Sequence, residues 1–193
     1  MRNLIKVCTI LILGLLLAAC SDDSTGSNGD GGGLLGNGQP GNMSATVNGS
    51  GWTSASAAAD TARLGNTVIA IGIAGVSVSL QGITIGLGSA GGITARMYNF
   101  PPTGTDIVTL GFSDSNNPSG GATFDPTRST GFVEITSLDF TNSTVSGRFS
   151  GDLYDIVDGT LLEVRDGVFN QVAIFTSPKK PVELEEVMSK ITK

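Results

Sequence analysis

The chain has 193 residues, 11 Lys and Arg against 17 Asp and Glu, two Cys and no His, for a formal net charge of −6. Without histidine, Ser-His-Asp and Cys-His nucleophile systems and His-ligated metal centres are excluded. An acidic chain with no basic patch is a poor partner for nucleic acid and is not drawn to anionic lipid by charge; its excess of acids serves solubility.

The chain opens with Arg2 and Lys6, runs apolar from Leu4, and closes that run with Leu17-Ala18-Ala19-Cys20. A charged start, an apolar stretch and small residues before a cut are the layout of a secretory signal peptide. The run is shorter than the roughly 20 residues a membrane-spanning helix needs. Its ending resembles a bacterial lipobox, which implies a signal peptide over 1–19 and a lipidated Cys20 as the new N-terminus. Cys8 would leave with the signal, and the folded part would then hold no thiol, disulfide or Cys ligand. Ser21-Asp22-Asp23 resembles the surface-export signal of Bacteroidota lipoproteins. It implies the cell surface of the outer membrane, with a periplasm-facing position as the alternative. Residues 20–42 contain little beyond Gly, Ser, Asn and Asp, with Leu34 and Leu35 the apolar exceptions. Such a segment cannot offset its ordering entropy and reads as a flexible tether about 26 Å in typical span.

From residue 43 to 177 the pattern is period-2 alternation. Ile69, Ile71 and Ile73 share one face, Val76, Val78 and Leu80 repeat it in the other parity, and Ile83, Ile85 and Leu87 switch back. A one-residue slip exchanges the faces of a strand, so each switch predicts a turn or bulge, at Gly75 and at Gln81-Gly82. Further strands are expected over 93–100, stopped by Pro101-Pro102, over 107–112, over 132–135 with 138–140, and over 145–154, where Val145, Gly147, Phe149, Gly151 and Leu153 alternate with polar residues. Leu161 to Val164, Asp166-Gly167 and Val168 to Phe175 read as a final hairpin or a bulged strand. Short strands with Gly-rich turns predict one all-β domain, an antiparallel β-sandwich or flattened barrel. Residues 178–193 differ: Leu184, Val187, Met188 and Ile191 fall at helical spacing behind Pro181, with acids early and lysines late, which predicts a short C-terminal amphipathic helix. Its stripe is expected to pack on the domain or to dock on a partner.

Few constellations carry chemistry. Gly86-Leu87-Gly88-Ser89-Ala90-Gly91 fits G-x-G-x-x-G, with Asp106 about 20 residues on, but dinucleotide binding requires a helix to follow, and the next segment is β-like. The glycines therefore read as a hairpin loop. Asp152, Asp155 and Asp158, with Glu163 and Asp166 nearby, form a weak calcium candidate, since calcium favours clustered carboxylates; Asp114 to Asn117 is a weaker one. No cofactor is expected. Glu134, Asp139, Asp152 and Glu163 could supply the two carboxylates of a glycosidase, and Trp52, Tyr98 and Tyr154 are the aromatics available for sugar stacking, although Trp52 reads first as a core plug. Asp60-Thr61-Ala62 resembles a short Bacteroidota O-glycosylation motif, which makes Thr61 a candidate acceptor.

Ser44-Ala45-Thr46-Val47-Asn48-Gly49-Ser50-Gly51-Trp52, Ser146-Gly147-Arg148-Phe149 and Asp166-Gly167-Val168-Phe169 together resemble a family of Bacteroidota lipoproteins known only as a domain of unknown function. Its members show A-x-V-N-G-x-x-W after the linker, then S-G-x-F and N-G-x-F strands; Asp166 stands where the family often has Asn, and the tail from Pro178 is an addition. The family carries no established catalytic residues. The expectation is thus a lipoprotein held in the bilayer by acylated Cys20, acting as a non-enzymatic binding or scaffolding module on an envelope protein or glycan. The alternatives are a carboxylate-dependent glycan-active enzyme and a lipocalin-like small-ligand carrier.

Overall fold

The computed structural model describes residues 41–115, 122–123, 128–154 and 159–175. The signal segment, Cys20, the linker and the expected C-terminal helix lie outside them. The described chain is all-β: β1 (Asn42–Val47), β2 (Ser50–Thr53), β3 (Ser56–Leu64), β4 (Thr67–Val76), β5 (Gln81–Gly88), β6 (Met97–Phe100), β7 (Ile107–Asp114), β8 (Ala122–Thr123), β9 (Thr130–Asp139), β10 (Thr144–Tyr154) and β11 (Leu161–Phe175). They form one curled mixed sheet in the order β6-β9-β10-β11-β3-β4-β5-β7-β8, with the β1-β2 hairpin attached to β11.

β11 joins the two halves. One edge pairs with β10 along its length. The other pairs first with β1 and then, through Ile174↔Ala59 and Phe175↔Asp60, parallel with β3. The expected ladder was wholly antiparallel; this parallel junction departs from it. A strand of 15 residues has room for two partners on one edge.

No hairpin interrupts β11 at Asp166-Gly167, so the bulged-strand alternative holds. Arg165 and Asp166 together oppose Ser150, and Asn170 and Gln171 oppose Ser146. Asp166 and Gln171 take left-handed φ values of 51° and 48°, which is how a bulge absorbs its extra residue. Each bulge also shifts the alternation by one. Leu162 and Val164, then Gly167 and Phe169, then Val172 and Ile174 therefore all point inward. Ser146 Oγ accepts from the Gln171 amide at 2.8 Å, and Ser150 Oγ donates to the Val164 carbonyl at 3.0 Å, so each bulge is closed by a serine opposite it.

The two Gly-x-Phe motifs interlock at this ladder. Gly147 is the register partner of Phe169, and Gly167 that of Phe149. A Cβ on Gly147 would lie 2.3 Å from the Phe169 ring, and one on Gly167 would lie 2.5 Å from the Phe149 ring. Each ring thus occupies the space its partner's missing side chain leaves, and the two rings stack with centroids 6.3 Å apart. They sit in one continuous core with Met43, Trp52, Tyr98, Phe100 and the isoleucines of β4 and β5. These residues form the core that the sheet curls around.

Two expected features of the β4-β5 region are corrected. Gly75 is neither turn nor bulge: it lies within β4, paired to Ala57 and Ile83, and Trp52 packs over it, its Cη2 atom 3.1 Å from where a Cβ would stand. Val78 and Leu80 belong to no strand. They lie in the turn that follows β4, and the alternation of Val76-Ser77-Val78-Ser79-Leu80 is that of a loop in which buried Ser77 bonds the Gln81 amide and the exposed Ser79 hydroxyl. The expected strand from Ile93 is also shorter, beginning at Met97.

Replacing Gly147 or Gly167 by Ala forces the cross-strand ring and, at each site, a neighbouring carbonyl oxygen to give way. Each substitution is expected to lower stability by about 1–3 kcal/mol, read as an earlier urea midpoint with unchanged slope. Phe169→Leu does not restore Gly147→Ala, because the Glu134 carbonyl still blocks the methyl.

Candidate functional site

Of the four candidate carboxylates, Glu134, Asp152 and Glu163 are held by arginines on the sheet surface, and Asp139 closes a turn. Glu134 on β9 and Arg148 on β10 are register partners and form an ion pair. Asp106, before β7, pairs with Arg96 at 2.9 Å. Asp152 on β10 and Glu163 on β11 are also register partners, and one guanidinium serves both: Arg165 bonds Asp152 and lies 2.8 Å from Glu163. Arg165 also donates to the Gly151 and Val164 carbonyls at 3.1 and 3.2 Å. The hydrogen bond to Asp152, and then the negative charges of Asp152, Glu163 and Asp166, raise the Arg165 pKa above its ordinary value.

Asp139 is used differently. It ends β9, and its Oδ1 accepts from the Thr141 and Asn142 amides at 2.9 and 3.0 Å while Oδ2 accepts from the Asn142 side chain at 2.6 Å. This is an Asx turn. The hydrogen bonds from Asn142, backbone first, hold the carboxyl below the ordinary aspartate pKa.

The aromatics are equally committed. Trp52 is buried, and its Nε1 donates to the Gln81 carbonyl at 3.3 Å. Tyr98 is buried, with its hydroxyl accepting from the Thr94 amide and donating to the Thr94 carbonyl. The half-buried Tyr154 lies under Arg128, whose Cζ is 4.2 Å from the ring centre. None of the three forms an open sugar platform, and the carboxylates needed for glycoside cleavage are engaged in ion pairs or a turn.

Of the calcium candidates, Asp152 is bound by Arg165, and Asp155 and Asp158 lie outside the described residues. Among the described residues, no group of three acids, Cys or His is placed to hold a metal ion. Asp114 accepts from the Gln81 side-chain amide at 3.1 Å. Gly86 and Gly88 are residues of β5 rather than of a hairpin loop, and an irregular segment leading to β6 follows them in place of a helix. Thr61 is half-buried within β3, opposite Ile71.

Periodicity did not reveal the turn between β4 and β5. Val78 is 90% exposed and Leu80 57% exposed. Its only sequence signal is two apolar residues framed by serines, which also fits a half-buried strand. Among the described residues, no helix is long and apolar enough to cross a membrane.

No protein-family model matches the chain, and neither a curated protein nor a solved structure was found to be similar to it.

Two outcomes follow from the geometry. Arg165→Ala is expected to lower stability by about 1 kcal/mol, the scale of a half-exposed ion-pair network. Arg165→Lys should recover only part of this in urea unfolding, because an ammonium lacks the guanidinium fork that reaches two carboxylates and two carbonyls. The depressed Asp139 carboxyl contributes stability that is full above its unfolded pKa and lost as pH falls through its lowered folded value. The β9-β10 turn should therefore loosen first at the acid limit, seen as loss of Asn142 amide protection, and Asp139→Ala should remove that protection at every pH.

Proposed function

We propose that this chain is a lipid-anchored envelope lipoprotein of the Bacteroidota type, carrying a rigid β-domain that binds or scaffolds rather than catalyses. The observation that carries the reading is Leu17-Ala18-Ala19-Cys20, closing an apolar run behind Arg2 and Lys6. Acylated Cys20 holds the protein in the outer membrane, and Ser21-Asp22-Asp23 directs it to the cell surface. The linker, with a typical span of about 26 Å, keeps the domain close to that membrane. The partner is an envelope protein or a glycan. Membership of the Bacteroidota family of unknown function rests on the Asn48-Gly49 turn, Trp52 and the paired Gly-x-Phe motifs.

The non-enzymatic reading is supported by what the side chains are occupied with. The chain has no histidine. Glu134, Asp152 and Glu163 are tied to arginines, and Asp139 closes a turn.

Membrane fractions of cells making the full chain should yield an N-terminal peptide that begins at an acylated Cys20. Cys20→Ala should release the domain into the soluble fraction with its fold intact. An unprocessed, soluble chain with a free thiol at position 20 contradicts the proposal.

A further inference from the structure

The loop between β4 and β5 is built against its own folding interest. Ser77 and Gln81 close it, the Ser77 amide donating to the Gln81 carbonyl at 2.8 Å and the Leu80 amide to the Ser77 carbonyl at 3.0 Å. This is a three-residue hairpin loop whose last position must be left-handed, ordinarily a glycine. Here it is Leu80, at φ 59°, a bulky residue in a region such residues avoid. Its side chain remains 57% exposed, so burial does not offset the strain. Val78, two residues earlier, is 90% exposed.

The polar groups of the loop are hydrogen-bonded to one another. Ser77 Oγ accepts from the Gln81 amide at 3.1 Å and shares a hydrogen bond with Ser79 Oγ at 2.8 Å. The Gln81 side chain bonds Ser79 and Asp114, and the Ser115 amide bonds the Leu80 carbonyl at 3.2 Å. Trp52 braces the base through the Gln81 carbonyl. The result is a hydrogen-bonded tip whose exposed residues, Val78, Ser79 and Leu80, carry no charge.

The tip also stands where the linker meets the domain. Ser54 clasps Met43, its Oγ accepting from the Met43 amide at 2.8 Å and its amide donating to the Met43 carbonyl at 2.9 Å. The next residue, Ala55, donates its amide to the carbonyl of Val76, the last residue of β4, at 2.7 Å. The start of β1 and the end of β4 are thus bridged by two consecutive residues. The first described residues, Gly41 and Asn42, therefore join the fold close to the base of the loop that carries Val78 and Leu80.

We propose that Val78 and Leu80 insert into the surface of the bilayer that holds the lipid anchor, fixing the orientation of the domain on its membrane. This rests on the anchored-lipoprotein reading. Two aliphatic side chains are too few to hold a free protein on a bilayer. On a tether they act at an effective concentration on the order of millimolar, where a weak contact suffices. The uncharged tip suits a chain whose net negative charge gives it no electrostatic hold on anionic lipid.

The test uses the full acylated chain, reconstituted into phosphatidylethanolamine/phosphatidylglycerol vesicles with and without brominated acyl chains. In Val78→Trp the new indole should shift to the blue on vesicles and lose emission when the chains are brominated, whereas buried Trp52 in the unsubstituted chain does neither. Adding Leu80→Asn, which suits the left-handed position, should raise the thermal midpoint yet weaken the quenching. A purely structural Leu80 would not move the two in opposite directions. A chain that floats with vesicles while its position-78 indole stays water-exposed overturns the inference and leaves the anchor standing. Burial of that indole only on native envelope membranes also overturns it, in favour of a protein partner. Failure to float removes the anchor reading and this inference together.

Discussion

The fold depends on a reciprocal seating across the β10-β11 ladder: Phe149 over Gly167 and Phe169 over Gly147. In a strand a glycine usually weakens pairing, having no side chain to pack. Here each glycine is the floor of a pocket for a cross-strand ring, and the ring restores the missing apolar contact. The arrangement also sets register. Sliding β11 by one residue would drive both rings into side chains and leave two glycines uncovered. Register matters more at β11 than elsewhere, because this strand carries β10 on one edge and both β1 and β3 on the other. With register fixed, the bulges at Asp166 and Gln171 can turn the strand without exposing its apolar face.

The same ladder sets the charged residues of β9, β10 and β11 against one another. Cross-strand register places Glu134 opposite Arg148 and Asp152 opposite Glu163. Two acids directly opposite repel, and Arg165 relieves that by binding both. The guanidinium is available because the bulge at Arg165-Asp166 adds a residue there, and the same bulge leaves the Gly151 and Val164 carbonyls for it to cap. Charge, bulge and register are therefore one solution.

Much of this architecture could be read along the chain. The alternations over Ile69–Ile73, Ile83–Leu87 and Val145–Leu153 are strands because one face of each meets the core, and the parity change around Asp166 became a bulge. Three features were not legible, for different physical reasons. The parallel contact of Phe175 with Asp60 joins residues far apart in sequence, and a single chain carries no local sign of such a pairing. The Arg165 cluster exists only once register is set, so Asp152 looked available when it was not. Val78-Ser79-Leu80 alternates like a strand, and its loop identity follows from the serine hydrogen bonds.

That last misreading bears on function. Where local preference, burial and turn chemistry agree, a residue needs no further explanation. Where they conflict, something other than folding has chosen it. Asn48 and Gly49 show agreement: both are left-handed, both suit a two-residue hairpin turn, and the Asn48 side chain accepts from the Glu163 amide at 2.8 Å. Leu80 shows conflict, being left-handed, bulky and exposed at once. The surrounding hydroxyls and the Trp52 brace hold the loop in this costly form, when a glycine would hold it at less cost and with less exposed apolar surface. Among the described residues other apolar side chains are exposed as well, Leu64 and Phe175 among them, but Leu80 alone of these joins exposure to a left-handed backbone, and the base of its loop is bridged to the strand at which the linker joins the sheet.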